Sequence, residues 1–251
     1  MKLTTLTSLM TAGLLATGAH AHTRVYGVWV NGAFQGDGRG VYVRSPPNNN
    51  PVKDITSSAI NCNVAGTTAV GSSVTVATGA TFEFEWYHDT RGDDIIASSH
   101  KGPVQVYIAP ASSNGAGAVW TKIASDGLSG GTWAVDKLIA NKGRHSVTIP
   151  SWLKAGDYLI RAEIIGLHES EVAYSANSAR GAQFYPSCVQ IKVTGSGTTS
   201  PSQNYAIQGG YTYADPGIVF NLYFNPSGTY TAPGPAVWSP GAAKKARSFE
   251  A

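Results

Sequence analysis

Charge is scarce in this chain. Only 13 % of its 251 residues are Asp, Glu, Lys or Arg, and they leave a formal net charge of +3. A field that weak excludes readings built on nucleic acid or an acidic membrane surface as partner. After residue 21 no apolar run reaches the roughly 20 residues a membrane-spanning helix needs. Long helical periodicity is missing, and so are internal repeats. There is no N-x-S/T sequon, because Asn225 is followed by Pro226. Cysteine is limited to Cys62 and Cys188, so no cysteine-rich carbohydrate-binding module is appended.

What is present points to a secreted β protein. Gly (29), Pro (13), Tyr (12) and Trp (6) are plentiful and imply a loop-rich chain with many aromatics. Residues 1–21 read as a signal peptide. Lys2 opens it, an apolar stretch runs through Leu14 and Leu15, and Ala19-His20-Ala21 forms an A-x-A cleavage site. Export makes Cys62–Cys188 pairing the default over two separate buried thiols.

Short strand-like runs are expected at 24–30, 82–88, 104–109, 145–149, 157–165, 183–193 and 218–224, bounded by turn residues such as Asn31-Gly32. In 157–165, Tyr158, Ile160, Ala162 and Ile164 fall on one face. Short helical turns are expected near 133–139 and within 169–177. This pattern predicts an all-β fold, an antiparallel β-sandwich. The long polar connections 45–60 and 169–181 are candidates for function. The domain is expected over 22–230, followed by a Pro/Gly/Ala-rich tail, 231–251, that reads as extended or frayed.

Cleavage after Ala21 would make His22 the first residue of the mature chain. Its α-amine and ring Nδ1 then lie on one residue and can close a chelate on one metal ion. His100, which enters the run at 104–109, is a candidate third nitrogen ligand. Three nitrogens in tetragonal geometry suit Cu(II). The α-amine, with an ordinary pKa of about 7.7–8.0, gives up its proton readily near neutrality. Gln183 and Tyr185 point the same way on a strand. Tyr185 would make a weak axial partner, Gln183 a hydrogen-bonding neighbour, and His168 a proton or hydrogen-bond donor. Taken singly, Tyr185 also reads as a core aromatic, Gln183 as a ladder residue and His168 as a loop histidine. Glu83 and Glu85 share a strand face and Asp93-Asp94 are adjacent. Nothing in that spacing identifies a glycosidase pair, and they read as solvated strand and turn carboxylates, as do Asp89 and Asp126.

Six segments in order resemble one family: HTRVYGVWVNG from His22, RSPPNNNPV from Arg44, EWYHDTRGDDIIASSHKGPV from Glu85, DYLIRAEIIGLHE from Asp157, RGAQFYPSC from Arg180 and PGIVFNLY from Pro216. The chain is similar to fungal lytic polysaccharide monooxygenases of auxiliary activity family 9. The resemblance implies an immunoglobulin-like sandwich with long loops and a flat copper site at one end. It implies one copper ion per chain, held by His22 and His100 with Tyr185 axial, and Gln183 and His168 beside it. It also implies a Cys62–Cys188 disulfide. The activity implied is oxidative cleavage of β-1,4-glucans with O2 or H2O2 and an external electron donor, by a secreted monomer. Substrates would be cellulose, cello-oligosaccharides and hemicelluloses such as xyloglucan or glucomannan, with C4 oxidation favoured over C1. Candidate sugar contacts are Asn48, Asn49, His88, Asp89, Glu169, Arg180 and Tyr211, the last by stacking. The competing readings are a noncatalytic carbohydrate-binding sandwich and a copper chelator that leaves glycans intact.

Overall fold

The computed structural model describes residues 22–225 and 228–240. The expected signal peptide and residues 241–251 of the expected tail lie outside the described residues. Twelve strands follow one another: β1 (Arg24–Val30), β2 (Ala33–Phe34), β3 (Val43–Arg44), β4 (Val74–Ala77), β5 (Thr81–Tyr87), β6 (Val104–Pro110), β7 (Thr121–Asp126), β8 (Leu128–Ser129), β9 (Thr132–Trp133), β10 (Arg144–Thr148), β11 (Gly156–Gly166) and β12 (Gln183–Thr194). A smaller sheet runs β10-β5-β1-β2 and a larger one β3-β12-β11-β6-β7, with β4 alongside β12. All these pairings are antiparallel except β4 with β12.

Alternation along the strands decides which residues meet between the sheets. Val28, Phe82, Phe84 and Trp86 from the smaller sheet pack against Val106, Ile108, Ile160, Ala162 and Ile164 from the larger. The expected shared face of Tyr158, Ile160, Ala162 and Ile164 lies in this core. Truncating one of its aromatics to alanine would cost about 3–5 kcal/mol. The larger sheet is also covered on its outer side. There Leu159, Ile165, Phe184 and Cys188 pack with Trp120, Ile207, Tyr211 and Ile218. The Cys62–Cys188 disulfide ties the short helix α1 (Ala59–Cys62) to β12 across 126 residues of sequence. Asn31 and Gly32, with φ of 48° and 79°, form the β1–β2 turn that their sequence signals.

Three expectations need correction. Residues 218–224 form turns, not a strand: Ile218 and Val219 donate backbone N–H groups to Asp215, and Asn221 Oδ1 accepts from Tyr223 and Phe224. The segment 169–177 holds isolated turns and no helix, whereas α2 (Ala134–Ala140) occupies the other expected position. Glu83 and Glu85 are not solvated. They are 9 % and 7 % exposed, because arginines and aromatics lie over them. The described part of the tail is packed. Lys122 Nζ donates to Pro233 O at 2.7 Å, Trp238 N donates to Lys122 O at 2.9 Å, and the Trp238 ring meets Trp152 edge-on.

Candidate metal centre

Four strand ends converge at one rim of the sandwich. His22 stands just before β1, His100 just before β6, His168 just after β11, and Gln183 opens β12. Register places them together: Gly166 pairs with Gln183, and Ile164 pairs with both Tyr185 and Val104. The loop at 45–60 is pinned here by reciprocal backbone bonds between Val52 and Phe184, at 2.8 and 2.9 Å. Two glycines permit the crowding. A Cβ on Gly102 would lie 1.8 Å from Ile165 O, and one on Gly166 would lie 3.2 Å from His100 Cδ2.

The His22 and His100 rings are 6.3 Å apart between centroids and inclined at 78°. Tyr185 completes a near-equilateral triangle, 6.0 Å from His22 and 6.1 Å from His100. With metal–nitrogen bonds of about 2.0 Å, one ion between two imidazoles sets their centroids roughly 6 Å apart. His100 is only 2 % exposed, and its buried Nε2 has no hydrogen-bond partner. Burial, followed by the neighbouring His168 and His22 rings, pushes the His100 pKa down to about 3. Burial also lowers His22, with His88 adding to it and Asn50 opposing. Both rings are therefore neutral near pH 7, the form that binds a metal. An orphaned buried nitrogen and a neutral, nitrogen-rich donor set fit copper.

A hydrogen-bond chain runs beside this triangle. Tyr185 is 1 % exposed and donates its hydroxyl to Gln183 Oε1 at 2.6 Å. Gln183 Nε2 lies 3.1 Å from Glu169 Oε2, to which it donates, and 3.3 Å from His168 Nε2. The His168 ring sits 3.9 Å from His100, and its buried Nδ1 lacks a partner. Burial lowers the His168 pKa, opposed by Glu169.

The expected sugar contacts divide. Asn48 and Asp89 are exposed, while Glu169 and Arg180 are half-buried at the rim. Asn49 Nδ2 donates to His88 O and Asp89 Oδ1, at 3.2 and 3.3 Å. Arg180 pairs with Glu171 and, at 3.6 Å, with Glu169. His88 is 5 % exposed, with Nδ1 3.0 Å from Asp94 Oδ1. Its neighbour Asp93 accepts backbone N–H bonds from His88, Asp89, Thr90 and Ile95, which makes Asp93 a clamp on that turn. Tyr211 cannot stack on a sugar. It is 2 % exposed, and its hydroxyl donates to Glu163 Oε1 at 2.7 Å. Sequence reasoning missed Tyr223 and Phe224, exposed at 73 % and 75 %. Their loop is tied to the segment after His168 by bonds between Ser170 and Phe220 in both directions. Asn225-Pro226-Ser227-Gly228 was the available turn signal.

Solved structures share this fold. One titled "CvAA9A" aligns with a TM-score of 0.85 and 49 % identity, over 86 % of this chain and 98 % of its own. A cellulose-active polysaccharide monooxygenase from M. thermophila aligns with a TM-score of 0.70 and 30 % identity, over 86 % and 99 %. AA9 family lytic polysaccharide monooxygenases A from Armillaria gallica and Schizophyllum commune are 57 % and 56 % identical. The alignments cover 90 % and 93 % of this chain and 90 % and 96 % of the relatives. Fold and relatives together define the class, a copper-dependent monooxygenase that cleaves polysaccharides oxidatively. The profile of Auxiliary Activity family 9 (formerly GH61) matches residues 22–230. The chain belongs to that family.

Proposed function

We propose that the mature chain, secreted and beginning at His22, holds one copper ion and oxidises β-1,4-glucans, favouring C4 over C1. The observation that carries this reading is the unpartnered, buried Nε2 of His100 beside the His22 ring. His22 would supply its amine and Nδ1, and His100 its Nε2. Bound copper supplies the redox chemistry that activates O2 or H2O2, with electrons from an external donor. Tyr185, buried and anchored to Gln183, would exclude water and small anions from its side of the site. Gln183 and His168 lie beside the His22, His100 and Tyr185 rings, where His168 would hold or pass a proton.

The surface around the site supports a sugar chain lying across it. Asn48, Asn49, Asp89, Glu169 and Arg180 offer polar groups to individual hydroxyls, and Tyr223 and Phe224 offer rings to pyranose faces. A surface that reads single hydroxyls favours soluble cello-oligosaccharides and hemicelluloses such as xyloglucan or glucomannan beside cellulose. The M. thermophila relative is titled cellulose-active, which supports the glucan class.

The test incubates copper-loaded mature protein with cellohexaose and ascorbate and identifies products by mass spectrometry. Oxidised oligosaccharides with C4 carbonyls are expected. Hydrolytic products alone, or none across a β-glucan panel, would sink the reading. His100→Ala should lose copper affinity and oxidation together, and retained activity would refute its assignment as ligand.

A further inference from the structure

The outer face of the smaller sheet carries a layer of arginines laid over aromatic rings. The Arg24 guanidinium lies 5.2 Å from the Tyr87 ring centre. Arg39 lies 4.7 Å from Tyr26 and 5.3 Å from Tyr87. Arg91 lies 3.8 Å from Phe34, and Arg144 lies 4.8 Å from Trp29. Alternation produces the layer: Glu83, Glu85 and Tyr87 face outward on β5 while Phe82, Phe84 and Trp86 face the core. Glu85 fixes its centre. Its carboxylate accepts Trp29 Nε1 at 2.6 Å and Arg91 Nε and Nη2 at 2.6 and 3.0 Å.

This layer borders a groove of about 420 Å³ lined by Trp29, Glu85, Arg91, Gly92, Lys142 and Arg144. Three of its side chains are cations, and its one carboxylate is 7 % exposed and already engaged. Lys142 is exposed and makes no ion pair among the described residues. Arg144 meets its nearest carboxylate, Glu83, only at 3.8 Å. Arg24 extends the basic layer to within two residues of His22, and its buried Nε has no hydrogen-bond partner. This face thus carries five cations, Arg24, Arg39, Arg91, Lys142 and Arg144, against Asp37 paired with Arg39 and the buried Glu83 and Glu85, beside a half-buried indole.

We infer that this face is a second carbohydrate-binding surface, separate from the copper rim, that takes an acidic polysaccharide bearing repeated uronate carboxylates. Charge complementarity selects an anionic ligand, whereas the glucans cleaved at the rim are neutral. The groove selects a polymer over a single anion. Each exposed cation–carboxylate contact is weak by itself, but carboxylates repeated along one chain engage several cations together. The half-buried Trp29 indole provides the apolar contact that a sugar ring, unlike a simple anion, can use. A plant-type matrix in which acidic chains run among neutral glucans would then hold the enzyme by one face while the rim works on its neighbour.

The test measures retention of copper-loaded mature protein, without reductant, on immobilised polygalacturonate. Retention at low ionic strength, elution by rising salt, and no retention on the fully methyl-esterified polymer are expected. The Lys142→Glu/Arg144→Glu double variant should bind at least about tenfold more weakly, through lost multivalency, with cellohexaose oxidation unchanged. Lys142→Gln alone, a milder change at an exposed site, should also weaken retention and covers the case in which the double variant fails to fold. No retention of the wild type at low salt would overturn the inference. So would equal retention on the esterified polymer, or unchanged retention of Lys142→Gln and any folded double variant. Equal retention on immobilised polyglutamate would show a general polyanion surface and would overturn the glycan assignment. None of the retention readouts depends on glycan oxidation, so this inference and the proposed function fail separately.

Discussion

Tyr185 donates its hydroxyl to the side-chain oxygen of Gln183, 2.6 Å away and two residues earlier on the same strand. That bond fixes which end of the Gln183 amide points where. The oxygen is occupied by the tyrosine, so the amide nitrogen is left to face His168 and Glu169. The Tyr185 hydroxyl therefore also sets the polarity presented by Gln183 beside the candidate metal centre.

Tyr185→Phe keeps the ring and removes only the hydroxyl. A buried hydrogen bond of this kind contributes about 1 kcal/mol, more if Gln183 Oε1 is left unpaired. Oxidation of cellohexaose should fall on the order of tenfold, with copper affinity nearly unchanged. Calorimetry and initial rates separate the two quantities. An unaltered rate would show that the amide orientation is irrelevant to the reaction.

One glycine placed ahead of His22 converts its amine to an amide and leaves the fold intact. Copper affinity should drop more than about 100-fold, because a chelate ring is lost along with a donor. Titration of the extended and native chains, compared with their unfolding curves, checks this. Equal affinities would rule out the amine as a ligand.

The Cys62→Ser/Cys188→Ser variant should be destabilised by about 4–5 kcal/mol, the chain-entropy expectation for so long a closed loop. Denaturant unfolding at pH 7 reads the difference. The loss should appear as a lower midpoint with a similar slope if the unfolded chain exposes the same surface. A midpoint within error of the wild type would show that packing on the outer side of the larger sheet suffices to hold α1.

Lys122 is 2 % exposed, and burial lowers its pKa to about 8, against the favourable fields of Glu163 and Asp215. The folded value lies below the unfolded one of 10.5. Between them the unfolded chain binds more protons, so this group makes stability rise with pH from about 8 toward 10. Free tyrosines begin to ionise near 10 and oppose the trend beyond it. Lys122→Met should flatten that rise. Melting temperatures of the two proteins across this window check it, and parallel curves would dismiss Lys122 as the source.

Much of the candidate metal site is legible because its residues sit at strand ends with recognisable flanks. His22 follows a cleavage signal, and Gln183 and Tyr185 alternate on one strand face. The sandwich was legible from period-two runs such as 157–165. Burial of residues in irregular segments was not. Tyr211 in GGYTYADPG carries no periodicity, and only the fold shows that it caps Glu163. The run IVFNLYF has strand composition, yet its N–H groups go to Asp215, Ser170 and Asn221 instead of a neighbouring strand. Glu83 and Glu85 alternate as solvent-facing residues should, but the arginine layer over them comes from Arg91 in a loop and Arg144 on β10. Contacts between segments distant in sequence leave no local trace.

The proposed ligands belong to different sheets. His22 leads into the smaller one, while His100 and Tyr185 belong to the larger. An ion shared between them is a clasp across the mouth of the sandwich, and clasping is reciprocal. Whatever spreads the sheets at that rim loosens the metal, and whatever seats the metal draws the sheets together. The copper content of a preparation then doubles as a gauge of how tightly its two halves are shut.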